Sequence, residues 1–161
     1  MPDHESLIAT LREQEESLVL AGFDQADAWS LGRRMAEKAI DAGLGVAIEI
    51  RRPGSVLFSV SLPGASPDRM VWATKKGAVV LRLDKSSALA AAEFGDFDPA
   101  SIGWLSHEEY AVAGGSFPIR VTGVGLVAAV SVAGLSSEDD HALCVDTLRE
   151  WLETPEAPVQ T

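Results

Sequence analysis

The sequence has a single cysteine, Cys144, so no disulfide can form within the chain, and a reducing compartment is the expected setting. Basic residues are scarce: 13 Lys and Arg stand against 24 Asp and Glu, a formal net charge of -11. With a pI near 4.6, the chain is not expected to bind nucleic acid or anionic membranes, which Lys and Arg recognise by neutralising phosphates. Long apolar runs are missing as well. The longest, Val124 to Leu135, has 12 residues broken by two glycines and a serine, too short to span a bilayer. The opening stretch, MPDHESLIATLREQEE, is acidic without an apolar core, so neither a secretory nor a transit peptide is expected. A phosphate-binding Walker loop, a G-x-S-x-G elbow, H-E-x-x-H and paired C-x-x-C are all absent. These absences predict a cytoplasmic protein without membrane insertion and without a recognisable catalytic signature.

What is present is enough for one core. With 161 residues, 47% of them hydrophobic, the chain can bury roughly 70% of its unfolded surface. We expect a single domain over residues 1–153 and a flexible tail over 154–161. Charge is uneven along the chain. Residues 1–32 carry a net -6, residues 33–85 a net +5 and residues 86–161 a net -10. The basic middle third, with Arg33, Arg34, Lys38, Arg51, Arg52, Lys75, Lys76, Arg82 and Lys85, could attract a small anion locally or simply balance the acidic flanks.

Periodicity divides the chain into elements. Leu7, Ile8 and Leu11 predict a first helix over about residues 5–16, followed by a short extended piece at 18–20. Asp24 reads as the cap of a second helix stopped near Gly43. Val46, Ile48 and Ile50, then Val56, Phe58, Val60 and Leu62, alternate around Pro53-Gly54 as a β-hairpin. Pro67 starts a helix, although Ala78 to Leu81 reads equally as a strand and Gly77 weakens the helix. Ser86 or Ser87 caps a short Ala-rich helix, and residues 95–115 form an irregular loop. Two strands, 117–121 and 126–132, then precede a helix capped by Ser136. The hairpins predict an α/β (α+β) fold with a five-stranded antiparallel sheet and helices on its faces.

Two stretches carry the candidate site. Gly114 and Gly115, before Ser116 and Phe117, permit close backbone approach or an anion at their amides. His141 follows Asp140 in the first turn of the last helix, where the helix end lowers its pKa and neighbouring acids raise it. A neutral imidazole there could ligate iron. His141 with Cys144, three residues on, reads equally as packing. Ser116, His141 and Asp140 could be cast as a hydrolase triad, but no spacing requires it.

Together GGSFPIRV at 114–121, VAGL at 132–135 and DDHAL at 139–143 resemble the haem-degrading-domain family, whose superfamily includes GlcG and HbpS. Phe23, Ala28, Leu31-Gly32, Leu57-Phe58, Pro67-Asp68, Trp72, Lys76 and Ser86-Ser87 fall in the order of its small cytoplasmic branch. The resemblance spans about residues 7–152. It implies a profilin-like, GlcG-like fold and a homo-oligomer built from dimers. It also implies haem as a candidate cofactor; His141, from its own chemistry, is the candidate metal ligand. The expected function is non-catalytic binding of a small ligand, haem or another small anionic molecule, at Gly114, Gly115, Ser116, Phe117, Asp140 and His141. The alternatives are an oligomeric scaffold or chaperone-associated factor without a cofactor, and a haem-degrading or hydrolytic enzyme.

Overall fold

A computed structural model describes residues 3–155 of the chain. The expected tail lies outside the described residues from 156 onward. The described residues hold five α-helices, α1 (His4–Ser17), α2 (Gln25–Asp41), α3 (Pro67–Leu83), α4 (Ser87–Phe94) and α5 (Ser137–Glu153), and a short 3-10 turn at Pro99–Ile102 within the 95–115 loop. The strands are β1 (Val19–Leu20), β2 (Ala47–Arg52), β3 (Ser55–Ser61), β4 (Ser116–Val121) and β5 (Gly125–Ala133). Local chemistry sets the boundaries. Asp24 and Asp27 form a reciprocal capping box at α2, and the Ser86 hydroxyl accepts from the Leu89 amide at α4. The stretch 78–81 is helical.

The strands form one sheet in the order β1-β4-β5-β2-β3. It is mixed rather than wholly antiparallel, because β1 runs parallel to β4 through Val19↔Arg120 and Leu20↔Val121. A two-residue edge strand has no alternation to read, so its direction was not available from periodicity. The remaining pairs are antiparallel, as expected.

The two faces of the sheet are chemically different. Ile48, Ile50, Phe117, Ile119, Val130 and Val132 point to the face covered by α2 and α5, where they are completely buried. Each such side chain contributes about 1.5–3 kcal/mol by leaving water. Gly32 lets α2 lie against β3, since a Cβ there would stand 2.4 Å from Cγ of Phe58.

The opposite face is built from Ala47, Ala129, Ala133, Ser116 and Ser131 under α3. Gly77 sits above Ser131, whose Oγ would be 2.9 Å from an added Cβ. The residue that weakened the helix by propensity is thus the one that lets α3 settle onto the sheet. Between them lies buried charge: Glu49, with Arg51 at 2.9 Å and Thr74 at 3.0 Å, and the Lys76–Asp140 pair described below.

Candidate functional site

The Gly114–Phe117 stretch enters β4 beneath the first turn of α5. Gly115 has φ +135°, and a Cβ there would lie 2.5 Å from the Val132 carbonyl and 2.7 Å from Nζ of Lys76. Gly114 is equally tight, with the Ser137 carbonyl 2.7 Å from its hypothetical Cβ. The glycine pair therefore provides close approach between β4, β5 and α5. Ser116 donates its amide to Oγ of Ser87 at 3.0 Å, and its own Oγ is 2.8 Å from that of Ser131. Both hydroxyls are buried. Phe117 is wholly inside the core, 5.9 Å from the His141 ring.

Asp140 locks the helix start to the sheet. Its Oδ2 accepts from Nζ of Lys76 at 2.9 Å, and its Oδ1 accepts from the Leu135 amide at 3.0 Å. Lys76 also donates to the Val132 carbonyl at 3.2 Å. The two side chains are 6% and 1% exposed, so the pair is shielded from water.

His141, 8% exposed, lies one residue on and faces the other way. Its Nε2 is 2.7 Å from Oε1 of Gln14, so Nε2 carries the proton and donates. Nδ1 then keeps its lone pair, buried and with no hydrogen-bond partner. Burial, with help from Arg149 and against Asp146, pushes its pKa down from 6.5 to about 4. The imidazole is neutral at pH 7.

A pH dependence follows from that shift. Because the folded pKa lies below the unfolded one, the unfolded chain binds the extra proton. The stability is fully present above pH 6.5 and is lost as pH falls towards about 4. The expected loss is about 3 kcal/mol. Urea unfolding of the wild type and His141→Gln at pH 7 and near pH 4 checks it: the variant should lose less by that amount, and equal losses would refute the assignment.

The first turn of α5 separates two clefts. On the α1 and α4 side a groove of about 410 Å3 is lined chiefly by Leu7, Leu11, Gln14, Ala88, Ala92 and His141. On the α3 side a cleft of about 290 Å3 is lined by Arg69, Trp72, Lys76 and Asp140, among others. Of the six candidate residues, Gly114 and His141 border the first and Asp140 the second. Gly115, Ser116 and Phe117 lie beneath them in packed structure.

Three further participants, Gln14, Arg69 and Trp72, were not singled out from the residues' chemistry. Lys76 had a readable signal, since Ala73, Lys76, Gly77 and Val80 share the buried stripe of α3. A lysine on such a stripe needs a buried acid. Cys144 is buried against the Gly115 carbonyl at 3.4 Å, and burial pushes its thiol pKa up, so it is inert at neutral pH. His107 is exposed on the 95–115 loop, 3.0 Å from Oδ1 of Asp98. No group of three or more His, Cys, Asp or Glu suited to a metal occurs among the described residues. No helix among them is long and apolar enough to cross a membrane.

Strand order, layers and the pinned start of α5 define an α+β domain of the profilin-like, GlcG-like class. The chain belongs to the family described as "Haem degrading protein HbpS-like", whose model matches residues 23–149. A UPF0303 protein of Streptomyces coelicolor is 41% identical over 149 residues, covering 90% of this chain and 93% of the relative. The crystal structure of Ybr137w protein superposes with a TM-score of 0.84 at 27% identity, covering 91% of this chain and 87% of that one. The PduOC:Heme complex superposes at 0.67 with 17% identity, covering 88% and 100%. At that identity the likeness concerns the fold alone.

Proposed function

We propose that this chain is a non-catalytic small-ligand-binding protein whose site is the apolar groove between α1, α4 and the first turn of α5. The observation that carries the reading is His141: a buried, neutral imidazole whose Nδ1 lone pair has no partner, bordering that groove. A buried acceptor without a partner costs about 1–3 kcal/mol, so a ligand that uses it recovers free energy. Ser116 is a poor nucleophile candidate because its hydroxyl is buried against Ser131.

Haem is the ligand we put first. The family's description and the heme held by PduOC support it, and a flat macrocycle suits a groove walled by Leu7, Leu11, Ala88 and Ala92. His141 is the residue that would hold the iron, since a neutral imidazole offers the lone pair that iron requires. Bound haem would supply redox and gas-ligand chemistry. Gln14 accepts from Nε2 and so orients the ring, which leaves the Nδ1 lone pair as the one that would hold iron.

Hemin titration followed by the Soret band tests this. A saturable shift is expected, with affinity reduced about tenfold or more, at least ~1.4 kcal/mol, in His141→Ala. Gln14→Ala, which removes the acceptor that orients the ring, should bind more weakly than the wild type. No saturable shift, or identical binding by His141→Ala, would overturn the site.

The oligomer built from dimers belongs to the same proposal and draws on a separate observation. Trp29 of α2 and Val56 of the edge strand β3 are half exposed, and the Trp29 ring lies 6.1 Å from that of Phe58, tilted by 56°. An apolar rim along an unpaired edge suits a second copy. It equally favours the scaffold reading, in which the assembly works without a cofactor. Light scattering on the hemin-free protein separates a monomer from an assembly.

A further inference from the structure

Two clefts meet at Trp72. The cleft of about 290 Å3 on the α3 side of α5 contains Arg69, Lys76, Ser137 and Asp140. A second, of about 380 Å3, is lined by Phe97 and Tyr110, with Asp96, Asp98 and His107 also on its wall and Asp98 bonded to His107. Trp72 and Ala113 line both. The indole is fixed in place: Nε1 donates to Oδ2 of Asp68 at 3.1 Å, and Nζ of Lys75 lies 5.7 Å from the ring centre.

Charge decides what the polar end accepts. Asp140 is the acid lining that cleft, and both its oxygens are engaged, one by Lys76 and one by the Leu135 amide. Asp68 holds the indole, while Glu138 and Asp139 belong to the same first turn of α5. Arg69 donates one nitrogen to the Gly45 carbonyl and has no carboxylate partner among the described residues. Gly134, at φ +138°, leaves the guanidinium room, since a Cβ there would stand 3.2 Å from Nη1. A half-buried guanidinium with unused donors beside a neutralised ion pair favours a carboxylate, which it binds with a planar fork.

We propose that this double cleft binds a small aromatic carboxylate, its charge on Arg69 and its ring beside Trp72 towards Phe97 and Tyr110. The site lies across the first turn of α5 from the His141 groove and does not depend on it. Two requirements follow: the ligand needs both a negative charge and a ring.

The probe is phenylacetate, titrated against 15N-labelled protein and read at the Trp72 indole resonance, assigned with Trp72→Phe. A saturable shift is expected. Acetate, which lacks the ring, and phenylacetamide, which lacks the charge, should each bind about tenfold more weakly. Arg69→Gln should weaken phenylacetate by a similar factor while leaving the hemin titration unchanged. Absence of a saturable shift, or phenylacetamide binding as well as phenylacetate, would overturn the proposal. Should Arg69→Gln fold poorly, the comparison of the two probes on the wild type decides alone.

Discussion

Asp140→Ala is expected to destabilise the protein by about 3–5 kcal/mol, the cost of leaving a buried charge without its partner. In the wild type, Lys76 and Asp140 lie 2.9 Å apart with 6% and 1% of their side chains exposed. Truncation strands the ammonium with the Val132 carbonyl and leaves the Leu135 amide without its acceptor. For a chain of this size the loss corresponds to a fall in Tm of roughly 6–20 °C. The double variant Lys76→Met/Asp140→Leu is expected to regain most of that stability, because desolvating two apolar side chains costs nothing comparable. Urea unfolding of the wild type, both single variants and the double variant completes the cycle. If Asp140→Ala unfolds within about 1 kcal/mol of the wild type, the pair does not pin α5 in the way its burial implies.

Gly115→Ala should be at least as damaging, beyond about 4 kcal/mol, for a reason that is steric rather than electrostatic. The residue combines φ +135° with a hypothetical Cβ 2.5 Å from the Val132 carbonyl, 2.7 Å from Nζ of Lys76 and 3.0 Å from Cβ of Asp140. The first of these is backbone in the middle of the sheet, and the other two belong to the buried pair. None can withdraw without breaking β5 or exposing a charge. Gly54 supplies the control. Its φ is also positive, at +79°, but nothing lies within 4 Å of an added Cβ. Gly54→Ala should therefore cost only about 1–2 kcal/mol of backbone strain. Equal losses at the two sites would show that conformation, not crowding, explains both glycines.

The legible and illegible parts of the fold differ in the range of the interactions that set them. Ile48 and Ile50 against Phe58 and Val60 alternate visibly, so the hairpin and its buried face could be read directly. Asp24 and Ser136 announced their helices because a cap bonds amides within three residues. β1 gave no direction, since two residues have no period and its parallel partner β4 lies a hundred residues away. The stretch 78–81 was ambiguous because its apolar residues suit either state. Packing on the sheet, with Gly77 over Ser131, is what the helix satisfies.

The candidate site divides the same way. GGSFPIRV and DDHAL meet where β4 crosses the first turn of α5. They did not assign roles within it. Side chains one position apart on a helix diverge by roughly 100°, so Asp140 and His141 serve different clefts although they are adjacent. Gln14 is 127 positions from His141 in sequence, and Lys76 is 64 from Asp140.

By itself the sequence determined most of the element types, the acidic character and the family, because each rests on local periodicity, composition or motif. The tertiary structure alone decided that Lys76 neutralises Asp140, that Gln14 takes one nitrogen of His141, and that Gly115 is required by crowding. Those outcomes depend on contacts between distant segments, where burial fixes the charge state and a few tenths of an ångström fix which residue fits.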